Sequence, residues 1–409
     1  MAKARLFIHF GRADARPYKP AAFCRDALLR VRVFPIVCII LFFGIGLLPA
    51  PARAFGTITR TCPTTDIQTG GAGFQPGGLI LTSFDGRALW LYNIDSGTRY
   101  PLPATVPCTR NCRLSPDFRS ITFFDDNLNA FSQMRLDGTG RRMIIENAAD
   151  VEWWADGVYL IWTPGHGAFL LTADTGAREP LDVTSITSIQ PGGRWGVRVA
   201  QQGDAFTRTL VNLSGQGAPV ELGLDMPYFN AQSWSHDGRR LAYVAPIVLN
   251  PTLGMVGSEL YTVAPETGAR QPLTNLTAEY GPARINGLAV GELAWSPDGG
   301  RIAFWVTPLT GPNPQTDTGE AMIHVVEVAT GNVLVYCGFS TTAHTPNPPR
   351  LLWSPNGTHI AFAGRVQGST GGTLLLVLNT IDGTFTSLSE GIAPALGAPD
   401  VVAWGLPPG

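Results

Sequence analysis

Beyond Phe55 the chain contains no lysine: 20 Arg stand against 29 Asp and Glu, a net charge of −9. A mildly acidic body without a basic stripe argues against a nucleic-acid binder. A G-x-x-x-x-G-K-[ST] phosphate loop cannot exist without lysine. There is no G-x-S-x-G elbow and no H-E-x-x-H helix motif. The "DDNLNAF" stretch at Asp125 lacks the alternating oxygen ligands of a calcium loop. The six His are too scattered to suggest a metal centre, so neither cofactor nor metal is expected. Charged residues make up only 15% of the chain and hydrophobic ones 44%. That composition supports a large buried core, and 47 Gly and 33 Pro divide it with many turns.

Long apolar runs are also scarce, with one exception. "VFPIVCIILFFGIGLLPA" (33–50) carries no charge, follows Arg30 and Arg32, and precedes "PARAFG" with Ala52 and Ala54 in A-x-A spacing. This is the pattern of a secretory leader with cleavage after Ala54. An uncleaved signal anchor is the alternative, since 18 residues can just cross a bilayer. The expected division is 1–54 leader or anchor, 55–71 a short segment, and 72–409 the folded domain. Either reading puts the body outside the cytoplasm, in the periplasm, the cell envelope or the medium. Membrane contact is expected only through an uncleaved N-terminus. Four cysteines remain in the body, Cys62, Cys108, Cys112 and Cys337, an even number suited to disulfides in an oxidising compartment. "CTRNC" could close a small loop and leave Cys62 with Cys337, but four cysteines allow three pairings.

What is abundant is repetition. "AWSPDGGRIAFW" (294–305) recurs as "SWSHDGRRLAYVA" from Ser233, "LWSPNGTHIAFAG" from Leu352, "LSPDFRSITFF" from Leu114 and "EWWADGVYLIW" from Glu152. Each unit reads as a strand ending near a Trp, a Ser-Pro-Asp-Gly turn, a second and third strand, an Asp/Thr-Gly turn and a short fourth strand. Seven units start near Ala72, Pro103, Ala148, Thr184, Phe229, Gly291 and Arg350. Four-stranded units repeated radially give an all-β, seven-bladed β-propeller of antiparallel blades. The closing "PDVVAWGLPPG" looks like an isolated first strand. Val401–Trp404 is therefore expected to complete the first blade beside Leu79–Thr82; the alternative is that Ala72–Gln75 supplies that strand. Trp154, Trp234, Trp295, Trp353 and Trp404 are expected to pack between blades. Asp237 and Asp298 are expected to cap their own turns.

The phrase "WSPDGGRIAF" and its relatives resemble the WD40-like repeat of TolB-type β-propellers, over residues from about 72 to the end. The resemblance implies the fold and says little about activity. TolB itself carries an α/β domain ahead of its propeller, and residues 55–71 are too short for one.

Departures from the repeat are the better guide to function, because loops on a rigid scaffold carry it. Three insertions fall on one face: 246–258, 274–291 and 307–321. They are expected to form a lip offering Leu253, Met255, Tyr280 and Arg284 to a protein, peptide or glycan partner. Asp317 and His344 complete the candidate set. The leading expectation is a non-enzymatic binding scaffold of undetermined oligomeric state. The alternatives are a lyase or hydrolase working at the central channel, and an extracytoplasmic sensor. A channel enzyme requires polar residues on the innermost strands, which read as mostly apolar near the Trp positions.

Overall fold

The computed structural model describes residues 55–61, 68–70, 73–84, 88–105, 112–165, 167–226, 230–250, 252, 255–280, 288–308, 321–336, 339–340, 349–366, 374–388 and 400–409. The leader 1–54 lies outside them. Arg53–Gly409 forms one compact unit.

Seven antiparallel sheets make up that unit. Blade one joins Asp400–Gly405 to Leu79–Phe84, Ala88–Asn93 and Thr98–Thr105. Blade two is Arg113–Leu114, Ser120–Asp125, Ala130–Arg135 and Arg142–Glu146. Blade three is Asp150–Ala155, Val158–Trp162, Ala168–Thr172 and Arg178–Leu181. Blade four is Ile186–Ile189, Trp195–Gln202, Ala205–Asn212 and Val220–Leu224. Blade five is Gln232–Trp234, Leu241–Asn250, Met255–Ala264 and Ala269–Pro272. Blade six is Leu288–Trp295, Arg301–Pro308, Met322–Glu327 and Val333–Tyr336. Blade seven is Leu352–Trp353, His359–Val366, Leu374–Asn379 and Phe385–Ser387. Two short strands, Ile58–Thr61 and Gln68–Thr69, add in parallel to the outer edges of blades six and seven. One short helix, Leu276–Tyr280, follows blade five.

The ring closes through the C-terminus, as the isolated last strand suggests. Ile80 pairs with Trp404 and Leu81 with Ala403, so an edge that would stand open is filled.

The core is divided among the seams between blades. Leu260, Phe304 and Val335 share one cluster where blades five and six meet, while Trp305, Ile360 and Phe385 share another between six and seven. Each blade is apolar on both faces because it has a neighbour on each.

The repeated turn has a mechanical cause. In blade six the Ser296 hydroxyl donates to Asp298, whose Oδ1 also accepts from the Gly300 N–H at 3.0 Å. The Arg301 N–H donates back to Ser296 Oγ at 2.9 Å. Ser235 with Asp237, Ser354 with Asn356 and Ser115 with Asp117 repeat the arrangement. Blade four has neither Ser nor Asp there. Gln190 replaces both, accepting from the N–H of Arg194 and Trp195 and donating to the Gly238 carbonyl of blade five.

The first-strand indoles of blades three, five, six and seven each bond back to the preceding blade. Trp295 Nε1 donates to the Ser233 carbonyl of blade five at 2.9 Å, and Trp353 Nε1 to the Ala294 carbonyl of blade six at 2.9 Å. Trp234 Nε1 donates to Ser188 Oγ of blade four at 3.0 Å. Trp404 Nε1 reaches the Gly77 carbonyl at 3.0 Å. In blade three the bond is made by Trp153, to the Arg113 carbonyl of blade two at 3.1 Å, and not by Trp154. The cause is register. Trp295 pairs with Ile302, seven residues on, but Trp153 pairs with Tyr159, six residues on. The Asp156-Gly157 turn is one residue shorter than Ser-Pro-Asp-Gly, and a one-residue change swaps the two faces of a strand. Trp154 packs toward blade four instead, beneath the Arg194 guanidinium.

Candidate functional site

Turns from first to second strand and from third to fourth leave one face of the ring. Second-to-third hairpins and the connections between blades leave the other. The second face carries the departures from the repeat; among the described residues, the hairpins of blades four and five are lengthened there.

Residues 246–250 and 255–258 of the 246–258 insertion are strand. They prolong the blade-five hairpin, with Ile247 opposite Gly257 and Val248 opposite Val256. Blade four lengthens in the same way, out to Gln201 opposite Phe206. Side-chain alternation fixes where these residues point. Leu241 and Tyr243 pack into the seam with blade four, so Ile247, in unbroken register with them, faces blade four. Leu210 packs into the same seam, so Phe206 faces blade five. The two hairpins therefore confront each other across the seam. Phe206 is 52% exposed, Ile247 37% and Val248 45%.

Arg208 forms the floor of this seam and is 1% exposed. Its guanidinium donates to the carbonyls of Asn230 at 3.1 Å, Leu224 at 3.2 Å and Val244. Asp225 Oδ1 lies 3.8 Å from its Nε. Burial pulls its pKa down against the attraction of Asp225. One side chain thus ties blade four to the second strand of blade five, beneath the exposed apolar residues.

The helix Leu276–Tyr280 is fastened at both ends. At its start the Glu259 carboxylate, 5% exposed, accepts from the N–H of Leu276 at 2.8 Å and of Thr277 at 2.9 Å, and from Thr274 Oγ1 at 2.9 Å. A side chain from a neighbouring strand so does the work of an N-cap. At its end the Tyr280 hydroxyl lies 2.6 Å from His324 Nε2, and His324 Nδ1 lies 3.2 Å from the Met322 carbonyl. A carbonyl can only accept, so Nδ1 carries the proton and Nε2 accepts from Tyr280. Burial lowers the His324 pKa to about 3 and raises that of Tyr280 to about 12. Arg60 of the N-terminal strand covers the Tyr280 ring and pairs with Glu279 at 2.8 Å.

Among the candidate partner-binding residues, Tyr280 thus points inward and latches the helix to blade six. Met255 starts the third strand of blade five. Its side chain, with Leu253, Arg284, Asp317 and His344, lies outside the described residues. So do Cys62, Cys108 and Cys337; Cys112 is buried and disulfide-bonded.

Sequence reasoning missed Phe206, which sits in the degenerate fourth unit, and Arg208 beside it. It also described the innermost strands as mostly apolar. The first strands of blades one, two and three are neighbours, and among them stand Arg113, Asp150, Glu152 and Asp400. Arg113 pairs with Asp150 at 3.0 Å, and Glu152 accepts from Trp162 Nε1 at 2.8 Å. Burial raises the pKa of Glu152 and of Asp400, with Arg113 and Arg350 opposing it. These residues lie just upstream of the repeat Trp and differ from blade to blade, so no period announces them. Among the described residues no group of three His, Cys, Asp or Glu is arranged to hold a metal ion. No helix among them is long and apolar enough to cross a membrane.

No protein-family model matches the chain, and no curated protein does. Solved structures do. TolB from Acinetobacter baumannii is similar over 80% of this chain at 14% identity, with a TM-score of 0.40. The chain spans 65% of the length of that TolB. The β-propeller domain of the Trilobed protease from Pyrococcus furiosus is similar over 83% of this chain and all of its own length, at 12% identity and a TM-score of 0.47. A puromycin-hydrolyzing peptidase from Mycobacterium tuberculosis is similar over 78% of this chain and 48% of its own, at 14% identity and a TM-score of 0.40. At these identities the likeness concerns fold alone, and the strand pairings establish that fold by themselves: the chain is a seven-bladed β-propeller.

Proposed function

We propose that this propeller is a non-enzymatic, extracytoplasmic binding scaffold that engages a protein or peptide at the seam between the hairpins of blades four and five. The observation that carries the reading is the opposed pair of lengthened hairpins, with Phe206 and Ile247 exposed above a floor fixed by Arg208. Apolar side chains held out by paired strand, and not folded back onto the body, are the chemistry of a partner contact. The helix Leu276–Tyr280, fastened at both ends, braces the outer side of blade five. The leader pattern and the buried disulfide at Cys112 support an oxidising location outside the cytoplasm.

The test is affinity capture from the native envelope and medium, comparing the wild-type chain with a Phe206→Ser, Ile247→Thr variant. The reading expects a partner held by the first and lost by the second, with circular dichroism unchanged. Equal capture by both would refute it. The second reading, chemistry at the central channel, draws on Glu152, whose buried carboxyl stands near the Arg113–Asp150 pair. A hydrolytic or lyase activity abolished by Glu152→Gln would favour it.

A further inference from the structure

The outer strand of each blade has one edge that no other strand of its own repeat pairs, and such edges invite another strand. Five of the seven are guarded by their own sequence. The outer strand of blade one contains Arg99, Pro101 and Pro103; that of two, Arg142 and Glu146; that of three, Arg178, Glu179 and Pro180. Blade four has Glu221, and blade five has Arg270 and Pro272. The outer strands of blades six and seven, "VLVY" and "FTS", have neither charge nor proline. These are the two edges covered by the N-terminal segment, in register from Ile58 opposite Val333 to Thr61 opposite Tyr336, and at Gln68 and Thr69.

The cover on blade six is shaped to its edge. A Cβ at Gly56 would lie 2.3 Å from the Asn332 backbone nitrogen, and in the neighbouring blade seven one at Gly383 would lie 2.5 Å from Thr61 Cγ2. Asn332 Oδ1 accepts from the Thr57 N–H at 3.1 Å, and the Val333 N–H donates to the Thr57 carbonyl at 2.9 Å. Arg60 pairs with Glu279 and lies over Tyr280. The hold is light all the same. Only four residues pair, Thr59 and Arg60 are exposed, and an exposed ion pair contributes about 0.2–1 kcal/mol. A short, solvent-facing terminal strand belongs to the part of a fold that opens most easily.

We propose that the outer edge of blade six is a strand-docking site: residues 56–61 occupy it in cis, and it accepts in their place an extended segment of a partner protein. The partner strand runs parallel to Val333–Tyr336. It has Gly at the position of Gly56, a β-branched residue two places on, and Arg four places on to meet Glu279 and Tyr280. Complementary charge at Glu279 and the missing Cβ space at Gly56 set this specificity. The site lies at the outer rim of blade six and is independent of the seam between blades four and five.

The probe is a fluorescein-labelled peptide of sequence GTITRT added to the full-length chain and read by anisotropy. Thr59→Pro puts a residue without an N–H in the middle of the resident strand and frees the edge. The expected result is saturable binding to the variant at least ~10-fold tighter than to wild type, whose edge is free only while its own strand is open. An Arg-to-Glu change in the peptide is expected to weaken binding by ~3-fold or more. Folded Thr59→Pro protein that does not bind the peptide would overturn the proposal. If that variant does not fold, hydrogen exchange on the wild-type chain decides. The Val333 amide, which the resident strand covers, must exchange faster than the Val325 amide inside the same blade; equal protection would overturn the proposal. A wild-type dimer abolished by Arg60→Glu would assign the edge to a second copy and overturn the partner assignment.

Discussion

Replacing Arg208 by Met removes a guanidinium that is 1% exposed and holds the carbonyls of Asn230, Leu224 and Val244. Methionine keeps the stem and its packing, so the cavity left behind is small. The loss is the donors. A buried acceptor left without a partner costs about 1–3 kcal/mol, and three are affected. Against this, the mutation abolishes the desolvation cost of a buried cation, several kcal/mol before its partners offset it. Asp225 also loses its counter-ion, though it is partly exposed and can hydrate. The balance expected is a destabilisation of about 3 kcal/mol, read as a lower urea midpoint at unchanged slope. Arg208→Lys is expected to do no better, because a single ammonium lacks the planar fork that reaches carbonyls on two blades. Because the carbonyl of Val244 lies three residues before Ile247, the Met variant should also bind the partner of the hairpin seam more weakly. A change below about 0.5 kcal/mol would mean that the carbonyls find other donors, and that the seam does not depend on this side chain.

Other substitutions probe the ring and its pH response. Trp353→Phe keeps most of the ring but loses the bond to the Ala294 carbonyl; about 1 kcal/mol of stability should go, and Trp353→Ala should lose about 3–5 kcal/mol, both by denaturant titration. Asp298 has its pKa lowered, first by the Ser296 hydroxyl and then by the Gly300 N–H. Its contribution is therefore full above the ordinary carboxyl value and lost as pH falls through the lowered one, so Asp298→Asn should differ from wild type at pH 7 and converge on it in acid. His324 stays neutral in the fold down to about pH 3 while the unfolded chain protonates near 6.5. Stability should fall by about 1.4 kcal/mol per pH unit below 6.5, and His324→Asn should flatten that slope in a pH series of melts.

Architecture was legible because it is written seven times. A Trp before a Ser-Pro-Asp-Gly turn needs no partner sequence to be recognised, and the lone "VVAWG" at the end announced its own place. Trp154 packs between blades as its place in the repeat suggests, but toward blade four, because the Asp156-Gly157 turn is one residue shorter than the others and gives the indole bond to Trp153. Gln190 was invisible as a turn residue, since one amide there replaces a hydroxyl and a carboxylate. The insertion at 246–258 was read as a loop although its residues 246–250 and 255–258 extend a hairpin. Tyr280 looked like a contact residue because aromatic character says nothing about direction; its direction depends on His324, 44 residues away. The parallel cover on blade six had no local signal, because four residues next to a leader have no period to read.

The closure at Leu79 and Gly405 has a topological consequence. The two positions are paired residues of neighbouring strands in one blade, so the folded chain is in effect a circle cut at one point. The Trp404 indole bond to the Gly77 carbonyl joins the two ends of the folded unit within blade one. No blade is therefore first except by the accident of where translation begins. If the ends are joined and the cut is moved into an exposed turn such as Asp137–Gly140, the same ring should form from a different starting residue.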